Sequence, residues 1–164
     1  ELSRLQSGTV ALNTQPISLR GLIEDLNERY HAAAEDHGLS FSLAFRPEDC
    51  PQVSANADRV EQVLVILLDN AMKYTPEGGR IALNARWDEK RVTLSVKDSG
   101  VGISPADQPY VFDRFYKVDK AHSGMGSGLG LSIAREILQR MDEEIWLTSQ
   151  PGEGSEFSFT LKRV

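Results

Sequence analysis

A single cysteine, Cys50, is all the sequence holds, so no disulfide can form within the chain and a disulfide-stapled mini-protein is excluded. That usage is compatible with a reducing compartment. No apolar run approaches the roughly 20 residues needed to cross a bilayer. The longest, Val63 to Leu68, suits a buried helix. Basic residues are the minority, with 18 Lys+Arg against 24 Asp+Glu and a net charge of −6. The chain therefore lacks the footprint of a nucleic-acid binder, although a local basic pocket for a phosphate ligand remains compatible with it. There is no Gly-Lys pair followed by Ser or Thr, hence no Walker A loop, and no serine sits in a Gly-x-Ser-x-Gly elbow. One cysteine and the scattered His31, His37 and His122 give no zinc spacing, and the histidines read as surface residues. No internal repeat is present.

What the chain does have is the size and balance of one soluble domain: 164 residues, 40% hydrophobic and 26% charged. It opens at Glu1 without methionine or signal-like character, which suggests a segment of something longer. In residues 1–12, Leu2 and Leu5 at helical spacing run into Ser7-Gly8, as at the tail of a helix from an upstream module. Ser18 is placed to cap a helix carrying Leu19, Leu22, Ile23, Leu26 and Tyr30 on one side and ending near Gly38. Leu39 to Phe45 alternates as a strand, a short stretch surrounds Val53, and a helix follows from about Asp58 to Tyr74, apolar nearly all round in its middle. Strands are predicted at 80–87 and 91–98, joined as a hairpin through Asp88-Glu89-Lys90. After a long glycine-rich and polar stretch from Asp98 to Gly130 come a helix over Leu129 to Met141 and strands at 144–149 and 155–162. This order predicts an α+β fold: a two-layer α/β sandwich, with helices on one face of a mixed sheet.

Four places depart from what packing alone would choose. In Val92-Thr93-Leu94-Ser95-Val96-Lys97-Asp98, period two puts Asp98 on the face of Val92, Leu94 and Val96, so a carboxylate points toward the core unless the strand has already ended in a turn. The following Ser99-Gly100-Val101-Gly102 allows backbone to approach a ligand closely. Asn70, Lys73 and Tyr74 extend the helix face begun by Val63 and Ile66, where they either meet water or offer an amide oxygen to Mg²⁺ and an ammonium to a polyphosphate. Gly124-Met125-Gly126-Ser127-Gly128-Leu129-Gly130 runs straight into a helix, as a flexible linker or as a phosphate cradle; its Gly-x-Gly-x-Gly spacing lacks the third glycine of a dinucleotide fingerprint. Gly152-Glu153-Gly154 reads as a plain hairpin turn.

Together and in this order these segments resemble the ATP-binding catalytic domain of bacterial sensor histidine kinases, within the group that shares the Bergerat fold. The likeness spans about residues 18–162. Residues Leu68 to Pro76 look like the N box, Asp98 to Ile103 like the first glycine box, Val111 to Tyr116 like the phenylalanine box, Gly126 to Leu131 like the second glycine box and Gly152 to Ser155 like the third. The resemblance implies a mostly antiparallel mixed sheet, a long ATP lid, and ATP with Mg²⁺ as cofactors. Asp98 would accept a hydrogen bond from the exocyclic amine of adenine, where guanine offers a carbonyl instead. Tyr74 and Ile103 would line the adenine slot, Asn70 would bind Mg²⁺ and Lys73 would approach the phosphates. Gly100, Gly102, Gly126, Ser127, Gly128, Leu129 and Gly130 would complete the ATP site, with residues from about Tyr116 to Gly126 as a mobile lid, Lys120 and His122 as further phosphate contacts, and Phe112 and Phe115 as its packed anchors.

The sequence departs from that family in two respects. One turn before Asn70, where histidine kinases commonly carry another asparagine and ATP-hydrolysing relatives a glutamate base, stands Ile66, which can neither activate water nor bind a metal. No histidine sits in a His-Glu/Asp-x-x-Thr/Ser-Pro phosphoacceptor box. The resemblance then implies residues 1–12 as the end of the dimerisation and phosphoacceptor helix, with 13–164 as the catalytic domain. It further implies a γ-phosphate transferred to an upstream histidine and onward to a response regulator. The full-length protein would be a homodimer and this piece a monomer, in the cytoplasm, with no membrane contact or nucleic acid, under a membrane-anchored sensor. Two other readings are a nucleotide-binding module with impaired phosphotransfer, suggested by Ile66, and a serine kinase of the anti-sigma type.

Overall fold

The computed structural model describes residues 13–116 and 129–164. Helix α1 (Arg20–Asp36) buries Ile23, Leu26, Tyr30 and Ala34, one residue per turn. Its start differs from expectation. Leu19 takes the cap position with its own side chain buried, and Ser18 stands one residue farther out, where its hydroxyl accepts the Arg20 N–H at 3.3 Å. Helix α2 (Ala57–Tyr74) is capped by the Asn56 side chain, which accepts the Arg59 N–H at 3.1 Å, and buries Val60, Val63, Leu64, Leu67, Leu68 and Ala71. It stops before Pro76, with the Thr75 hydroxyl donating back to the Ala71 carbonyl at 2.6 Å. Helix α3 (Gly130–Arg140) buries Ala134, Ile137 and Leu138.

The strands are β1 (Gln15–Ile17), β2 (Ser40–Leu43), β3 (Val53–Ala55), β4 (Arg80–Trp87), β5 (Arg91–Asp98), β6 (Ile145–Gln150) and β7 (Gly154–Arg163). They form one sheet in the order β1-β3-β7-β5-β4-β2, with β6 also on β7. Only β2 and β4 run parallel; the other pairs are antiparallel. The mixed sheet and the β4–β5 hairpin follow the expectation, and Asp88 closes that hairpin by accepting the Lys90 and Arg91 N–H groups at 2.8 and 2.9 Å. Strand β1 and two single-turn helices, Pro47–Asp49 and Gln108–Tyr110, were not predicted. At three residues each they are too short to express a period.

Alternation sorts the sheet into two faces. Ile81, Leu83 and Ala85 of β4, Val92, Leu94 and Val96 of β5, and Phe157, Phe159 and Leu161 of β7 are buried in one core with the apolar sides of all three helices. Each large side chain removed from water there contributes about 1.5–3 kcal/mol. The opposite face is polar, with Thr93, Ser95 and Lys97 beside Thr160, Ser158 and Glu156, and the Ser95 and Ser158 hydroxyls are 2.8 Å apart. No helix of the described residues is long and apolar enough to cross a membrane.

The joint between α3 and β6 depends on a buried acid. Glu143 has 1% of its side chain exposed; its Oε1 accepts the Thr160 hydroxyl at 2.8 Å, and its Oε2 accepts the Lys162 N–H at 2.7 Å. Arg91 Nε and Lys162 Nζ each stand 3.8 Å away. Glu143→Ala should cost about 2–3 kcal/mol in urea unfolding, because a charged acceptor and its buried partners are lost together. Glu143→Gln, whose oxygen can accept the Lys162 N–H while its amide donates to Thr160, should cost less than half as much.

Candidate functional site

Asp98 is the last residue of β5, and the strand persists to it, so period two carries its side chain to the core side as expected. Across the sheet it pairs with Ile81 on β4 and Ser155 on β7, and it is 4% exposed. Both protein donors that reach the carboxylate, the N–H groups of Gly100 at 2.9 Å and Ser155 at 3.2 Å, go to Oδ1. Among the described residues no donor reaches Oδ2, and no buried side-chain oxygen is left unpartnered, so Oδ2 still meets the surface. Burial pushes the carboxyl group above its ordinary pKa, and the two amide hydrogen bonds pull it part of the way back.

Three pieces of backbone close around this acid. The Val101 N–H donates to the carbonyl of Tyr74 at the end of α2, and the Gly152 N–H donates to the Val101 carbonyl at 2.8 Å. The Ser149 hydroxyl accepts the Ile103 N–H at 2.8 Å and donates to the Gly154 carbonyl at 2.9 Å, while the Gln108 amide donates to the carbonyls of Ile103 and Ser149. The glycines make this convergence possible. Gly102 has φ +76°, and a methyl on it would overlap the Gln150 carbonyl; Gly154 has φ +112°, and a methyl there would overlap the Asp98 carbonyl. Gly154 is thus more than a turn residue, because it lets β7 start against Asp98 so that the Ser155 amide can hold Oδ1. Ser155, Ser149 and Gln108 were not singled out from the sequence as site residues. Gly152-Glu153-Gly154 was the visible signal, but it indicates a turn and not what the turn touches.

At the other end, α2 presents Asn70, Lys73 and Tyr74, all half-buried. Among the described residues the Asn70 amide makes no hydrogen bond and Lys73 makes no ion pair; the ammonium lies 5.2 Å from the Tyr74 ring centre. An amide oxygen and a cation are therefore available for a ligand. Ile66, on the same helix face, lies against the start of α3, where a Cβ added to Gly130 would be 3.4 Å from its Cγ2. Helix α3 starts after Leu129, whose side chain gives it no cap hydrogen bond. Ile103 is buried at 8% exposure. Lys120, His122, Gly126, Ser127 and Gly128 lie outside the described residues.

The two phenylalanines behave differently. Phe112 is half-buried and meets Phe157 edge-on with ring centres 6.0 Å apart, under the Arg135 guanidinium at 5.9 Å. Phe115 does not share that anchoring role: its φ of +65° turns it out of the fold, 65% exposed, with Arg114 stacked over it at 5.8 Å. Tyr116 instead ties down this segment by donating its hydroxyl to Asp107, whose carboxylate raises the phenol's pKa.

The chain resembles known proteins in sequence and in fold. The family described as histidine kinase-, DNA gyrase B-, and HSP90-like ATPase matches residues 55–164. The sensor histidine kinase WalK of Bacillus subtilis is 36% identical over 165 residues, covering 98% of this chain and 27% of that protein. The adaptive-response sensory kinase SasA of Thermosynechococcus vestitus is 41% identical over 145 residues, covering 84% of this chain and 38% of that protein. Full-length ShkA in complex with AMPPNP superposes with a TM-score of 0.83 at 27% identity, over 99% of this chain and 34% of that one. The nucleotide-free catalytic domain of the histidine kinase ThkA gives 0.78 at 25% identity, over 93% and 97%. With two thirds of its length matched, the chain belongs to the histidine kinase-, DNA gyrase B- and HSP90-like ATPase family, as an ATP-binding catalytic domain of the sensor histidine kinase type.

Proposed function

We propose that this domain binds Mg·ATP with the adenine amine on Asp98 and the phosphates along Asn70, Lys73 and the start of α3, and presents the γ-phosphate to a histidine outside the chain. The observation that carries this reading is the one-sided carboxylate, with Oδ1 held by two backbone amides and, among the described residues, no donor to Oδ2. An exocyclic amine satisfies such an acceptor, whereas a guanine carbonyl would be repelled. Tyr74 and Ile103 flank the adenine, and the packed Gly100 and Gly102 bring backbone to its edge.

Asn70 would supply an oxygen to Mg²⁺, and Lys73 would offset phosphate charge. Among the described residues no group of three or more His, Cys, Asp or Glu converges, so the remaining ligands of the cation would be phosphate oxygens and water. Bound there, Mg²⁺ neutralises phosphate charge, and catalysis of phosphoryl transfer depends mainly on such neutralisation and on positioning. Ile66, packed against α3, offers no base to activate water, which favours transfer to a protein acceptor over hydrolysis.

The chain spans 27% and 38% of the two curated relatives compared above. The acceptor histidine, the dimer and the response regulator would belong to the rest of such a protein, with residues 1–12 as the end of the phosphoacceptor helix and 13–164 as the catalytic domain. A cytoplasmic position beneath a membrane anchor belongs to the same reading. Mixing the chain with a separately made phosphoacceptor module should yield acid-labile phosphohistidine; nucleotide binding with no phosphohistidine would leave a binding module only.

Asp98→Asn should weaken ATP binding by at least about 1.4 kcal/mol, a tenfold loss in calorimetry. Unchanged affinity with an intact fold would remove the adenine contact. The same variant has a stability signature. A carboxyl whose pKa is raised by folding contributes stability fully below its unfolded pKa of about 3.9, and loses it as pH rises through the folded value. The stability of Asp98→Asn relative to wild type should therefore shift in favour of the variant between pH 4 and pH 7 in denaturant titrations, with ATP absent.

Gly154→Ala should cost more than about 1 kcal/mol and weaken adenosine binding, since the added methyl meets Asp98 backbone and displaces the Ser155 amide. Gly152→Ala, at a similar φ of +80° but with open space around it, should cost less and leave adenosine affinity unchanged.

A further inference from the structure

Helix α2 carries the residues assigned above to the metal and phosphates, yet its large buried side chains end at Leu68, followed only by Ala71. Between those two, on the side turned to α1, Asp69 Oδ1 accepts the Tyr30 hydroxyl at 2.7 Å. Tyr30 is a rigid donor. It is 6% exposed, its ring meets Phe41 at 6.4 Å, and the Arg29 guanidinium lies 5.7 Å over it while ion-paired to Glu61 of α2 at 3.2 Å. Burial and the Asp69 carboxylate hold the phenol well above its ordinary pKa, so it stays a donor at any working pH.

We propose that Tyr30 is a positioning residue for the phosphate end of the nucleotide site, acting through Asp69 on Asn70. The bond has two physical effects. It fixes the rotation of the α2 turn that begins with Asn70, and it keeps the Asp69 carboxylate turned toward α1. Released, that anion stands next in sequence to the proposed Mg²⁺ ligand, free to repel phosphate. The adenine end is held separately, by Gly100 and Ser155, and does not depend on this tie.

The proposal rests on the reading of Asn70 as a metal and phosphate residue, and the test separates the two. Calorimetry on the 164-residue chain, with Mg·ATP and with adenosine as probes, compares Tyr30→Phe, Asp69→Asn and Asn70→Ala, with melting curves for each. Tyr30→Phe keeps the ring and removes the donor; Mg·ATP affinity should fall roughly three- to tenfold, with adenosine affinity within about twofold of wild type. Asp69→Asn keeps an oxygen acceptor for the phenol, so its Mg·ATP affinity should fall less than that of Tyr30→Phe, and a loss as large as in Tyr30→Phe would count against the hydrogen bond as the cause. Equal losses for both probes in Tyr30→Phe, or no loss for either, would overturn the proposal while Asn70→Ala still weakens Mg·ATP. Unchanged Mg·ATP affinity in Asn70→Ala would overturn the underlying assignment, and the proposal with it.

Discussion

A carboxylate taken out of water must be repaid by donors, and among the described residues Asp98 is repaid on one oxygen only. Much of the architecture around it follows from that constraint. For the Ser155 amide to reach Oδ1, the start of β7 must lie directly on the backbone of Asp98, which only a glycine at position 154 permits. For the Gly100 amide to reach the same oxygen, the chain must turn back immediately after β5 and pass against the carbonyl of Tyr74. The end of α2, the loop after β5 and the β6–β7 turn are thereby locked together, and the residues assigned to the phosphates hang from one of the locked pieces.

The two ends of the site are built by different means. At the proposed adenine end the fit is backbone against backbone, through Gly102 on Gln150, Gly154 on Asp98 and Gly152 on Val101, a geometry with little freedom to adjust. At the proposed phosphate end the groups are side chains on a helix whose last turns are held by Ala71, the Thr75 hydroxyl, the Tyr74 carbonyl and the Tyr30–Asp69 bond. Phosphoryl transfer depends chiefly on placement. In the proposed site, small rotations of α2 would therefore have more effect on the γ-phosphate than on the base.

Asp98 could be read from the sequence because a strand imposes period two and an acid on the apolar face stands out. The N-box residues were legible for the same reason on a helix, since Asn70 and Lys73 interrupt a line of apolar residues. The function of the glycines was not. Composition suggests backbone near a ligand, whereas at Gly102 and Gly154 the close neighbour is another segment of the chain, and such contacts between distant residues leave no local periodicity. Ser155, named only as the end of the third glycine box, was not read as a site residue because its contribution is a main-chain N–H, which any residue but proline has. Strand β1 has three residues and exists only because β3 pairs with it, and Phe115 shares a motif with Phe112 but not its backbone conformation.

The chain holds a second buried carboxylate, and the contrast shows what separates a site from a strut. Glu143 has acceptors engaged on both oxygens, by the Thr160 hydroxyl and the Lys162 amide, with Arg91 and the Lys162 ammonium 3.8 Å away. Such an acid is complete, and its work is to fasten the α3–β6 connection to β7. Among the described residues Asp98 has no cation beside it and donors on one oxygen only, and burial raises its pKa. Burial alone does not distinguish the two acids. The distribution of donors over the two oxygens does, and on that ground we place the proposed nucleotide site at Asp98 and not at Glu143.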